Sequence, residues 1–213
     1  MPYLFNRAMK LAPGNTLDSI AWAIKITEKV NAASGPEFRL WRRVLGPAAG
    51  TLGWTAVVND IGELTAVEEK LMADGSYIEL VEEGARFGIA SDGFDDALGR
   101  LVHVDPDGLD TAQYANITTT ALAPGMAATG VALGVELAQR IKAITGRPTS
   151  FGTSVTGRFG EVAFFMLSDT IEQVQAASEA LAADADWVAV MDERASAAFV
   201  PEASVRMITR RIA

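Results

Sequence analysis

The chain has no cysteine and only one histidine, His103, in 213 residues. Without cysteine there can be no disulfide framework, no thiolate nucleophile, no iron–sulfur cluster and no Cys-ligated zinc. A lone imidazole rules out HExxH and any other site that needs two, and a Ser-His-Asp triad would have to use His103. Cations are also scarce: 18 Lys+Arg against 27 Asp+Glu leave a net charge of −9. With no Lys/Arg run, that balance argues against nonspecific nucleic-acid binding, which rests on neutralising phosphates. Long apolar runs are missing too. The N-terminal MPYLFNRAMKLAPG lacks the apolar core of a signal peptide. The stretch 126–138 is interrupted by Gly130, Gly134 and Glu136 and is too short to span a bilayer. The sequence therefore reads as soluble and cytoplasmic, with no membrane or nucleic-acid partner. A hydrophobic share of 49% against 21% charged is that of a globular chain.

An internal repeat organises what is present. LAPG at 11–14 recurs at 122–125, a shift of 111 residues, and Tyr3 and Tyr114, Gly35 and Gly146, and Gly46 and Gly157 match at that shift. Asn59-Asp60-Ile61-Gly62-Glu63 faces Ser168-Asp169-Thr170-Ile171-Glu172, and LMADGSY at 71–77 faces LAADADW at 181–187. The acidic Pro/Gly stretch Asp105–Asp110 reads as a turn or linker between halves 1–106 and 107–213.

Each half has the same expected order. A first strand (3–11, 114–122) ends at Ala-Pro-Gly. A helix follows (16–31, 126–145), its first copy with Ile20, Ile24, Thr27 and Val30 as the apolar stripe. Two strands (38–45 and 51–59; 149–156 and 160–168) flank a Gly-rich hairpin. Asp60 and Asp169 then cap helices, with Glu63 and Glu172 at the third position as in a capping box. A short helical segment follows (75–83, 185–193), and a last strand closes each half (99–104, 205–212). This βαββαβ order is the ferredoxin-like pattern, so the fold class is α+β with two fused ferredoxin-like units. Packing the open sheet faces against each other as an intramolecular barrel would complete a core.

These residues resemble the dimeric α+β-barrel superfamily, which includes NIPSNAP-like and antibiotic-biosynthesis-monooxygenase-like proteins. The resemblance rests on the PG after the first strand, Gly50-Thr-Leu-Gly-Trp54 entering the third strand, the D-x-x-E helix start, and an aromatic (Tyr77, Trp187) after the second helix. It implies a pocket for a small apolar or aromatic ligand and no bound cofactor. It specifies fold more than function, because this fold hosts many chemistries. The superfamily also holds duplicated haem proteins resembling chlorite dismutase, which need a His on a helix of the C-terminal half. No His follows residue 103 here.

The candidate site residues lie mostly in the first half. His103, in Leu-Val-His-Val, is a proton donor or acceptor, or a hydrogen-bonded His at a sheet end; alternation puts it on the face of Leu101. Arg39, Trp41 and Arg43 share a strand face, where two guanidiniums flanking an indole would hold a carboxylate or phenolate; the plainer reading is a wet strand end or an ion-paired interface, with Glu37 nearby. Trp22, Trp41 and Trp54 line a ligand pocket between sheet and helices or form ordinary core. Asn6, Tyr3, Tyr114 and Asn116 are first-strand polar groups; the monooxygenase resemblance implies polar and Trp side chains that hold a phenolic substrate, and Asn6 with Trp54 is similar to that set. Ala127, Gly130, Gly134 and Ala138 form a small-residue stripe that either allows close backbone approach or leaves room for a ligand, with tight packing the plainer reading. Asp92-Gly-Phe-Asp95-Asp96 reads as an exposed acidic turn rather than a Ca²⁺ loop, and no metal site is expected. The functional readings are a small-ligand protein, as a cofactor-independent monooxygenase- or isomerase-like enzyme using His103 and Asn6 or as a noncatalytic binder, and alternatively a structural or assembly protein of the same fold. The sequence leaves a homo-oligomer open.

Overall fold

The computed structural model describes residues 1–14, 16–88 and 93–213. The first elements are β1 (Tyr3–Met9), α1 (Thr16–Ala33), β2 (Arg39–Leu45), β3 (Leu52–Val58), α2 (Ile61–Met72), α3 (Gly75–Gly84) and β4 (Phe94–His103). They are followed by β5 (Tyr114–Leu122), α4 (Ala127–Thr145), β6 (Thr149–Ser154), β7 (Glu161–Ser168), α5 (Ile171–Ala183) and α6 (Ala185–Val190). A π-helical turn (Met191–Ala195) and a helical turn (Ser196–Ala198) lead into β8 (Phe199–Arg211). The class is α+β, with the ferredoxin-like order occurring twice.

Two compact units form, each discontinuous in sequence. The first holds Met1–Val44, Ala48–Leu98 and Arg211–Ala213; the second holds Leu45–Pro47 and Gly99–Arg210. β4 thus gives its first half to one unit and its second half to the other, and the last three residues of the chain belong to the first unit.

In the first unit β1 pairs antiparallel with β3 from Tyr3↔Val58 to Met9↔Leu52, and β3 pairs with β2 through Leu40↔Trp54. The C-terminus joins at β2, where the Leu40 amide donates to the Ala213 carbonyl at 2.6 Å and the Ile212 amide to the Leu40 carbonyl at 2.8 Å. On β3 alternation is strict: Leu52, Trp54, Ala56 and Val58 are buried, and the residues between them are only half-buried. That buried row packs on Trp22, Ala23 and Ile26 of α1, Val67 and Leu71 of α2, and Tyr77 of α3. The face that α1 buries is Ser19, Trp22, Ala23, Ile26 and Thr27, so Ile20, Ile24 and Val30 of the expected stripe lie at its margin. Trp22 sets this rotation. Its Nε1 donates to the Leu80 carbonyl at 2.7 Å, and its ring fills the slot over Gly84, where a Cβ would stand 2.0 Å from the indole. At α2 the expected cap is present: Asp60 accepts from the Glu63 amide at 3.0 Å, and Glu63 accepts from the Asn59 amide at 2.8 Å.

The second unit has the strand order β8-β5-β7-β6, with Gly99–His103 of β4 beside β6. Its core is Leu133, Leu137 and Ala138 of α4 against Phe151, Val162 and Phe199. The small-residue stripe on α4 is tight packing: a Cβ on Gly130 would lie 2.5 Å from Leu122, and one on Gly134 2.2 Å from Phe151. Gly146 ends α4 in the left-handed region (φ 68°), its amide donating to the Lys142 carbonyl at 2.8 Å. The linker is pinned. Asp105 is buried and accepts from Lys142 Nζ at 2.9 Å, and its amide donates to Ser150 Oγ at 3.1 Å.

Four expectations are corrected. The cap of α5 is Thr170, not Asp169; Gln173 completes the capping box, so the helix starts one residue later than the Glu172 spacing suggests. β4 starts at Phe94, so Asp95 and Asp96 lie in a strand and not in a turn, while Asp92 falls outside the described residues. β8 starts at Phe199; Pro201, which cannot donate to a ladder, sits where the pairing with β5 slips between Val200 and Val205. A register shift between Leu101 and His103 places them opposite the adjacent residues Gly152 and Phe151, hence on opposite sides of the sheet rather than on one.

Candidate functional site

The first-unit sheet sorts the candidate residues by face. Trp54 lies opposite Leu40 and Arg7, on the side covered by the helices. It is buried there with Trp22, the two rings meeting edge to face at 6.0 Å, and its Nε1 donates to Thr27 Oγ1 at 2.8 Å. Both indoles are core side chains with satisfied N–H groups. Each removes roughly 150–250 Å² of mainly apolar surface from water, which at about 25 cal/mol per Å² contributes several kcal/mol to folding.

Asn6, Arg39 and Trp41 come together on the other face. Thr55, at the centre, is opposite Asn6 on one side and Arg39 on the other. Thr55 Oγ1 accepts from Trp41 Nε1 at 2.9 Å, which fixes the ring. Trp41 is 8% exposed, and the Arg39 side chain 13%. Both guanidiniums at this end hold one carboxylate: Glu37 accepts from Arg39 Nη2 at 2.8 Å and from Arg211 Nη2 at 3.3 Å. Arg43 is the next residue on this face of β2; burial lowers its pKa, and the charge of Asp95 works against that shift. The sequence reading missed Thr55 and Arg211. Thr55 carries the alternation signal of β3, but Arg211 reaches this unit only because the chain returns there, which no local pattern encodes.

A second polar group stands on the helix-covered side. Arg7 makes a two-pronged ion pair with Asp96 (2.8 and 2.6 Å) and lies over the Phe94 ring at 5.1 Å from its centroid. The hydrogen bond to Asp96 raises the Arg7 pKa; burial raises that of Tyr77, against the opposing charge of Arg7. Because Asp96 already meets the demand of Arg7, this pair ties β1 to β4. A groove of about 400 Å³ between Pro36, Asn59, Glu63, Ala66 and Lys70 holds none of the sequence-derived candidates. Its Asn59 and Glu63 bond each other at 2.9 Å.

His103 belongs to the second unit, half-buried on β4. Haem does not fit that unit. Its helices carry no histidine, and the space between α4 and the sheet is filled by Phe151, with Phe164 at 4.8 Å between ring centroids. No helix among the described residues is long and apolar enough to cross a membrane.

No protein-family model and no curated protein matches the sequence. Solved structures do. A candidate monooxygenase from Fusobacterium nucleatum matches over 100% of this chain and 93% of its own, at TM-score 0.73 and 8% identity. A second candidate monooxygenase, from Lactobacillus acidophilus, matches over 99% and 93%, at TM-score 0.65 and 12% identity. An anthrone oxidase-like protein matches over 99% and 92%, at TM-score 0.61 and 13% identity. At such identities the likeness is one of fold alone.

Proposed function

We propose that the chain binds a small aromatic molecule bearing a carboxylate or phenolate, on the Asn6–Arg39–Trp41 face of the first-unit sheet. The observation that carries this reading is Glu37. Its carboxylate, more than half exposed, is held between Arg39 and Arg211 (2.8 and 3.3 Å), so the cluster already accepts the group a ligand would present. A ligand anion displaces Glu37, its ring lies against Trp41, and the Asn6 amide supplies a further hydrogen bond. Guanidiniums beside a phenol favour its ionised form. A bound phenolate with dioxygen as co-substrate is the reaction class that the monooxygenase-like neighbours suggest, and in it these residues hold the anion. The structural or assembly reading is favoured by the indoles of Trp22 and Trp54, which fill the space between helices and sheet where a pocket was expected.

Calorimetric titration with salicylate tests the binding. Arg39→Gln is expected to weaken it about tenfold or more, the worth of a charge-assisted hydrogen bond. Glu37→Gln is expected to tighten it by removing the internal competitor. Equal affinity in the wild type and both variants, or no saturable binding by any of them, would contradict the site and leave the structural or assembly reading.

A further inference from the structure

Elsewhere in the first unit, at the start of α1, a cavity of about 290 Å³ is lined by Lys10, Ala12, Thr16, Arg42, Ala48 and Gly50. We propose that it binds a phosphate group, with Arg42 and Lys10 as the cations that hold it. Arg42 lies on β2 opposite Leu52, so it points to the helix-covered side, away from Arg39 and Trp41. Its Nε is buried without a hydrogen-bond partner, and its side chain makes no hydrogen bond or ion pair among the described residues. The other arginine of this unit on the helix-covered side of the central strands, Arg7, is matched by a carboxylate. A buried guanidinium N–H with no acceptor is costly unless something supplies one, and here it lines a cavity. Lys10 brings a second positive charge to the same cavity.

The surrounding backbone agrees with that reading. Ala48, which lines the cavity, is held at φ 52°, in the left-handed region that residues with a Cβ seldom adopt. The cavity also meets the first residues of α1, the end of a helix that favours negative charge. The chain carries a net charge of −9, so general attraction does not bring anions to it; binding has to come from these local groups. The volume is near the lower end of small-ligand pockets, enough for a phosphate on a compact organic body as well as for free phosphate.

Calorimetry with inorganic phosphate and with glycerol 3-phosphate, at constant ionic strength set with chloride, tests the site. Saturable binding of one phosphate per chain is expected, and Arg42→Gln and Lys10→Gln should each weaken it about tenfold or more. Arg42→Lys, which keeps the charge but loses the fork, should weaken it less than Arg42→Gln. Arg39→Gln should leave it unchanged, which separates this site from the aromatic-anion site. Tighter binding of glycerol 3-phosphate than of inorganic phosphate assigns the cavity to an ester; the reverse order assigns it to the free ion. No saturable binding, or equal binding by wild type and both glutamine variants, overturns the proposal.

Discussion

At Gly134 helix propensity and packing pull in opposite directions. Alanine is favoured over glycine in a helix by about 1 kcal/mol, yet a Cβ here would stand 2.2 Å from the Phe151 ring. Packing wins, because Phe151 is fully buried and has no free direction in which to move. Gly134→Ala is therefore expected to lower stability by about 1–3 kcal/mol in chemical denaturation; a rise would show spare room at α4. Trp54 sets a similar contrast. Trp54→Ala should cost about 3–5 kcal/mol, and Trp54→Phe clearly less, though it loses the hydrogen bond to Thr27. Equal stability of wild type and Trp54→Ala would mean that the indole lines open space after all. From sequence, core and pocket lining could not be told apart at this residue, because both need an apolar ring on the same strand face.

Helix starts show where local chemistry is readable and where it is ambiguous. Asp60 was legible from its spacing to Glu63. At α5 two overlapping patterns compete, Asp169 with Glu172 and Thr170 with Gln173, and the second is the one formed. Thr170→Ala should cost about 1 kcal/mol, and Asp169→Ala distinctly less; the opposite order would restore the earlier helix start. Asp74, the cap of α3, takes hydrogen bonds from Lys29 and Ser76 that bring its pKa down to about 2. A carboxylate depressed in the folded state stabilises above its ordinary range, and that contribution is lost as the pH falls through the folded value. Asp74→Asn keeps a capping side chain but removes the charge. Its melting temperature should therefore lie below that of the wild type at neutral pH, with the gap closing as the pH drops from about 4 towards 2. A gap constant with pH would remove the charge from the account. The strand starts at Phe94 and Phe199 were hidden because Asp95, Asp96, Pro201 and Glu202 read as turn residues. Only pairing with strands far away in sequence overrides such preferences.

Over the whole molecule, the α+β class and the doubled order of elements were legible, because each element carries its own periodicity and the LAPG and D-x-x-E signals recur. The membership of the compact units was not. Strand β4 passes from one unit to the other at Leu98–Gly99, and Arg211–Ala213 belong to the first unit. These are consequences of long-range pairing with no local signature. The candidate site divides in the same way. Asn6, Arg39 and Trp41 meet on one sheet face, as alternation allows, whereas Trp22 and Trp54 lie behind that sheet and His103 belongs to the second unit. Arg211, which completes the cradle around Glu37, could be found only in three dimensions.

Native mass spectrometry of the freshly purified protein, set against its denatured mass, reads the Arg39 site without a competing assay signal. Added salicylate is expected to appear as one adduct per chain, to be released on denaturation, and to be lost in Arg39→Gln while the folded charge-state distribution stays the same. A wild-type chain that stays bare with salicylate in excess, or an adduct that Arg39→Gln retains, would contradict that site.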